Sequence, residues 1–169
     1  MRNKKVNYIT QGAVIAACYV VLCLIFEPFS YGAVQVRIAE AMTILAFFTP
    51  AAIPGLTIGC LFANIIGGGI VLDVVFGSVA TLLGAVGTYL LRNRSLYLAP
   101  LPPIIANILI VPFVLKYGYG IPMAIPLMML TVGIGEVIGA GILGIILGKG
   151  LVKTRSGLFS RKQEAKQDV

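Results

Sequence analysis

The sequence predicts an all-α integral membrane protein of six transmembrane helices, the second and third of them short. Three observations predict this. Hydrophobic residues make up 59% of the chain and charged residues 11%. A soluble domain carries about 25% charged residues, so there is too little polar surface here to cover a globule in water. Apolar runs recur at close to the ~20 residues a helix needs to cross the hydrocarbon core. The basic residues fall between these runs in a pattern that favours one side of the bilayer.

The first run, residues 8–26, follows the basic start MRNKK. It is longer than the roughly 7–15 residues of a signal-peptide apolar region. It closes on Glu27-Pro28 with no small-x-small cleavage pattern, so a retained first span is expected. Residues 74–91, 98–115 and 123–147 fit single spans in the same way.

The region 38–66 is harder. As one helix it would run to roughly 43 Å, well past a core of about 30 Å. It is broken by Pro50, Pro54 and Gly55, which remove backbone donors and end helices. One kinked span and a hairpin of two short helices both remain possible on these grounds, and charge separates them. With a hairpin, six spans put Arg2, Lys4, Lys5, Arg92, Arg94, Lys149, Lys153, Arg155, Arg161, Lys162 and Lys166 inside, leaving only Arg37 and Lys116 of the 13 basic residues outside. With one span, Arg92, Arg94 and the basic residues from Lys149 onward move outside, and 9 of the 13 basic residues lie on the wrong face. The positive-inside rule prefers six spans with both termini cytoplasmic. Short helices in the hairpin need their ends buried by protein, because free backbone groups are not tolerated in lipid.

The chain reads as one membrane domain, residues 1–150, and a polar, basic cytoplasmic tail, residues 151–169. The outer loops are the longer ones: 27–37, 67–73 and 117–122. Residues 67–69 are three glycines, which suit either a moving loop or a tight turn. The net charge of +7 reads as membrane topology and not as a nucleic-acid surface. No GxxxxGK[ST] loop occurs, so any pumped work draws its energy from a partner or a gradient. Cys18, Cys23 and Cys60 all lie in apolar runs. With no CxxC pair and no histidine, no metal site is expected, and the thiols read as small packing residues.

Ionisable residues inside membrane helices are costly and mark function. Glu136, in VGIGEVIGA, is expected about 20 Å below the outer end of the sixth helix. Asn107 is expected about 13 Å below Lys116 on the fifth. Antiparallel neighbours could bring this carboxylate and amide together to hold a ligand with several N–H donors; a protonated Glu136 bonded to a backbone carbonyl and an Asn107 hydrogen bond between helices are the packing alternatives. Glu27, Glu40 and Asp73 fall at outer helix ends, and Asn64 lies near Asp73 across the glycines. Arg37 and Glu40, three apart, could pair on one face. Asp73 could cap the fourth helix. Small residues recur at four-residue spacing: Ala13 and Ala17; Ala80, Gly84 and Thr88; Ala140, Gly144 and Gly148. In the fourth and sixth helices this reads as packing within the bundle.

Four stretches carry a specific resemblance: VRIAEAMTILAFF at 36–48, PGLTIGCLFAN at 54–64, DVVFGSVATLLG at 73–84 and GEV at 135–137. Over about residues 8–150 the chain resembles the S-components of energy-coupling factor (ECF) transporters, most closely the QueT family assigned to queuosine precursors. The resemblance implies an S-component-like six-helix bundle in a bacterial cell membrane. It implies capture of a solute near the outer face and association with a coupling transmembrane protein and two ATPase subunits, with no cofactor. The solute is released inside when the S-component topples. Ala13 and Ala17 match the small-residue motif by which S-components meet the coupling protein.

A queuosine precursor is a deazaguanine whose ring N–H and amino group make two parallel donors, a match for one carboxylate. The resemblance therefore assigns Glu136 to that edge and Asn107 to the ring carbonyl or nitrogen. Asp73 or Glu40 could meet the cation of the aminomethyl form, preQ1. Tyr31, Tyr117, Tyr119 or Phe76 could stack on the base. Arg37 and Asn64 complete the expected binding set. The same scaffold could serve another vitamin-like solute such as pantothenate or a pterin. A small membrane-embedded enzyme would need clustered Asp or His residues, whereas this chain has no His and only Glu136 lies deep.

Overall fold

The computed structural model describes residues 4–26 and 37–154, so Glu27 and Tyr31 lie outside the described residues. Six helices follow in order. Helix α1 is Lys4–Ile25 and α2 is a 3₁₀ helix, Ile38–Phe47. Helix α3 is Ala52–Ile66 and α4 is Val71–Leu90. Helix α5, Leu101–Phe113, runs on into a π-helical turn, Val114–Gly118. Helix α6, Ile125–Glu136, runs on into a π-helical stretch, Val137–Leu143. Four helical runs are long and apolar enough to cross a membrane: Lys4–Ile25, Val71–Asn93, Leu96–Gly118 and Ile125–Thr154. The chain is a membrane protein by this measure. Helices α2 and α3 are shorter, as expected.

The region 38–66 folds back on itself. Arg37, at the start of α2, reaches Asn64, near the end of α3, at 3.4 Å. One kinked helix would hold these residues far apart, at opposite ends. The reversal is built from Thr49 and the prolines. Backbone N–H groups of Ala52 and Ile53 bond to the carbonyls of Thr49 and Pro50, and the Thr49 hydroxyl accepts from the Ala51 N–H. Pro54 sits in the first turn of α3, where its missing N–H costs nothing.

Glycines set which helices lie closest. A Cβ on Gly55 would come within 2.7 Å of the Gly12 carbonyl oxygen, and one on Gly59 within 3.0 Å of that of Ala16. Helices α1 and α3 therefore run parallel at near-backbone contact. Tyr19, Leu56, Cys60 and Ala63 form the core of this side together with Ala39, Met42 and Ala46 of α2. On the other side Val111 and Leu115 of the α5 run pack on Met128 and Val132 of α6. Gly84 meets Pro103 across α4 and α5, and the Thr88 hydroxyl donates to the Ala99 carbonyl at 2.7 Å. Gly144 meets Ala41, and Gly148 meets Ile44 and Leu96. The small residues of α4 and α6 thus serve packing, as read from the sequence.

Residues 67–69 form an ordered helix end. The N–H groups of Gly67 and Gly69 bond back to Ala63 and Asn64 at 2.8 and 2.7 Å. Gly68 takes φ +73°, which an L side chain rarely adopts. The backbone here is that of a tight turn.

Candidate functional site

Two polar groupings occupy the half of the bundle that contains Arg37 and the α3–α4 turn. The upper one joins four segments. Arg37 lies 3.9 Å from the Asp73 carboxylate and donates to Asn64 Oδ1. Asn64 Nδ2 donates to the Asp73 backbone carbonyl at 3.1 Å. The Tyr119 hydroxyl donates to Asp73 Oδ2 at 3.0 Å. The α4 N-cap is Ile70, without a side-chain cap, so Asp73 is not the cap expected from the sequence. It is the third residue of α4, where its charge still faces the positive end of the helix. The expected Arg37–Glu40 pair gives way in the same manner, because Arg37 points to Asp73 and Asn64. Gly77 stays small because a Cβ there would crowd Asn64 Nδ2 and Asp73 Oδ1, at 3.0 and 3.1 Å.

The lower grouping is buried. Glu40 and Asn107 are fully buried and Glu136 is 4% exposed. Tyr19, also buried, donates its hydroxyl to Glu40 Oε1 at 2.7 Å. Glu136 lies within electrostatic reach of Glu40, Arg37 and the Asn107 amide. Helices α2 and α6 approach closely here because Gly139, three residues after Glu136, has no Cβ. One would fall 2.7 Å from the Arg37 carbonyl oxygen and 3.8 Å from Glu40 Cβ. The π-helical stretch begins directly after Glu136, and such insertions recur at functional sites.

Four polar atoms of this grouping, and one on Arg37 of the upper grouping, are unsatisfied. Arg37 Nη1, Glu40 Oε2, Asn107 Nδ2 and Oδ1, and Glu136 Oε2 are buried without a hydrogen-bond partner among the described residues. Buried polar groups are normally paired, and leaving one unpaired costs about 1–3 kcal/mol. Five such atoms around one locus form a set of donors and acceptors suited to a polar ligand. Among the described residues no cluster of His, Cys, Asp or Glu could hold a metal ion.

The structure therefore brings Glu136, Asn107 and Glu40 together and sets Arg37, Asn64 and Asp73 beside them. It places Phe76 and Tyr117 elsewhere, along an apolar groove of about 310 Å³ on the α4–α5 surface with Leu72 and Phe113. Tyr117 stacks on Phe113 there. Tyr19 was not singled out from the sequence. A signal exists in Gly12, Ala16 and Tyr19, one face of α1 at helical spacing, with a hydroxyl that needs a partner once buried. Ala13 and Ala17 are exposed on another face of α1.

The chain matches the family described as QueT transporter over residues 9–153. Over 85 residues it is 35% identical to a curated protein of Lactococcus lactis subsp. cremoris (strain MG1363), "Queuosine precursor transporter QueT". That alignment covers 49% of this chain and 50% of the relative, so the chain spans about half the length of the curated protein it matches. No solved structure matches it. With residues 9–153 accounted for, the chain belongs to the QueT transporter family.

Proposed function

We propose that this protein is the substrate-binding membrane subunit of an ECF-type importer and that its solute is a queuosine precursor of the deazaguanine class. The chain crosses a bacterial cell membrane six times with both termini in the cytoplasm, so Arg37, Asp73 and Tyr119 lie toward the outer face. The observation that carries the reading is the buried grouping of Glu136, Asn107 and Glu40, whose unpaired atoms complement a flat, donor-rich heterocycle. Glu136 takes the ring N–H and amino group in a two-point contact. Asn107 offers both an acceptor and a donor to the remaining edge. Arg37, Asn64 and Asp73 form the rim above and close the outer side of the site.

No ATP-binding loop occurs in the sequence. Pumped uptake then draws on a partner or a gradient, and in this reading the partner is a coupling transmembrane protein with two ATPase subunits, met by the exposed Ala13 and Ala17 face of α1. The protein acts as a carrier and carries out no chemistry on the solute.

The test is direct titration of the purified chain in detergent with deazaguanine bases and with guanine. Saturable binding of a deazaguanine that Glu136→Gln abolishes is expected. Absence of binding to every base, with the chain folded, rejects the reading.

A further inference from the structure

We propose that Arg92, Arg94 and Lys149 form a binding site for the phosphate headgroup of an anionic phospholipid, at the end of the bundle away from Arg37. In the six-span topology proposed above this is the cytoplasmic leaflet. The site does not depend on which solute the protein carries.

Two segments build it. After α4 the chain makes two short 3₁₀ turns, Leu91–Asn93 and Leu96–Leu98. The Ser95 hydroxyl accepts from the Tyr97 N–H at 3.3 Å and ties down the second. This loop docks on the last turns of the α6 run because Gly148 leaves room for Leu96. A Cβ there would lie 3.2 Å from Leu96 Cδ1. The contact carries Tyr97 to Lys149, whose Nζ stands 5.1 Å from the ring centroid. On the other flank the Arg92 guanidinium stands 4.0 Å over the Tyr89 ring, and Tyr89 is packed against the core. Cation–π contacts orient these charges without neutralising them. A guanidinium over a ring keeps edge N–H donors that can fork onto phosphate oxygens.

The chain supplies no countercharge here. The acidic residues among those described are Glu40, Asp73 and Glu136. Roughly 20 Å of helix separates Glu136 from Lys149. Arg92, Arg94 and Lys149 are exposed, and among the described residues none of them pairs with a carboxylate. The residues that follow set Arg155, Arg161, Lys162 and Lys166 against Glu164 and Asp168, a further excess of positive charge.

The surroundings select a lipid. Leu90, Leu98 and Ile146 are exposed on the same two segments and the helices that carry them. Exposed apolar side chains on a membrane helix face acyl chains. Tyr97, 60% exposed, is a residue type that gathers at the membrane–water boundary. A cationic rim over an apolar wall matches both parts of a phospholipid, whereas a free phosphate would engage the rim alone. Basic clusters between helices at the cytoplasmic surface bind anionic headgroups in this way.

The test is native mass spectrometry of the purified, delipidated full chain in neutral detergent, titrated with phosphatidylglycerol or with phosphatidylcholine. Phosphatidylglycerol is expected to fill one site about tenfold more tightly or better, since each basic residue near an anionic headgroup is worth about fivefold. Joint replacement by Arg92→Gln, Arg94→Gln and Lys149→Gln is expected to bring it down to the level of phosphatidylcholine. Tyr97→Leu keeps every charge and is expected to weaken phosphatidylglycerol about twofold or more. An unchanged affinity in Tyr97→Leu marks a diffuse effect of net charge and overturns the site.

Equal affinities for the two lipids in the wild-type chain overturn the proposal, as does a preference that survives the triple replacement. Displacement of the lipid by millimolar inorganic phosphate reassigns the patch to a free anion. Absence of a lipid preference, with assembly onto the coupling protein lost in the triple variant, reassigns it to an acidic protein surface. The wild-type comparison needs no variant, so misfolding of the triple variant does not rescue the proposal.

Discussion

The two polar groupings lie next to each other and are built from the same kinds of residue, yet they differ in completeness. The upper one, Arg37, Asn64, Asp73 and Tyr119, connects a cation, an amide, a carboxylate and a phenol by contacts of 3.0–3.9 Å. The lower one, Glu40, Asn107 and Glu136, is more deeply buried, takes a hydrogen bond from Tyr19, and leaves four side-chain atoms without a partner among the described residues. A network closed but for one atom, Arg37 Nη1, ties elements together. An open one holds binding capacity in reserve, at a cost in stability that a ligand can return. Acidic residues in a membrane bundle therefore cannot be sorted by depth or charge alone. What sorts them is how many of their hydrogen bonds the protein itself completes.

Four measurements would break or sharpen that contrast. The largest effect is expected from Glu136→Gln, which keeps the shape and replaces an acceptor by a donor. Affinity for a deazaguanine should fall about 100-fold, in line with a charged hydrogen bond of roughly 2–3 kcal/mol, as read by titration calorimetry. A loss under threefold would show that the open grouping is not the site.

Next comes Ala13→Trp. It leaves both polar groupings intact and puts bulk on an exposed helix face that reads as a docking surface. Uptake and co-purification with the coupling protein should be lost while solute affinity is kept. Normal assembly would remove the α1 face from the proposal.

Gly139→Val tests the close approach that draws Glu40 and Glu136 together. Its Cβ would meet the Arg37 carbonyl at 2.7 Å, and overpacking of this kind costs about 1–3 kcal/mol. The thermal unfolding midpoint in detergent should drop together with solute affinity. An unchanged midpoint would mean that α2 and α6 have more room than their contact implies.

The smallest effect belongs to the closed grouping. Tyr119→Phe removes one hydrogen bond to Asp73 and should lower stability by about 1 kcal/mol. Solute affinity should fall far less than in Glu136→Gln, and a comparable loss would erase the distinction between the two groupings.

Much of the fold was legible before any coordinates. Long apolar runs appear as long helices because lipid offers the backbone no other partner. The breaks at Pro50 and Pro54 appear as a reversal because proline removes donors that a continuous helix requires. Boundaries were less legible: α4 begins at Val71 and not at 74, since an apolar residue can stand inside a helix or just before it. The 3₁₀ geometry of α2 was not legible either. Nothing in IAEAMTILAF favours it locally, and it arises where α2 is held among α1, α4 and α6. Glu136 and Asn107 could be singled out because a polar residue in an apolar run is conspicuous. Tyr19 was not, because tyrosine is ordinary in such a run until its hydroxyl is seen to be buried.

Composition, apolar length, proline placement and the spread of basic residues by themselves pointed to a helical membrane protein with a hairpin at residues 38–66. These properties follow from the local cost of exposing charge or backbone to lipid, which each segment bears alone. The tertiary structure decided which polar residues are spent on one another and which remain unspent. It directed Arg37 to Asp73 instead of to its sequence neighbour Glu40, and it brought Tyr19 to Glu40 across 21 positions. Hydrogen bonds are satisfied in space, and a residue's distance along the chain does not say which partner it will find.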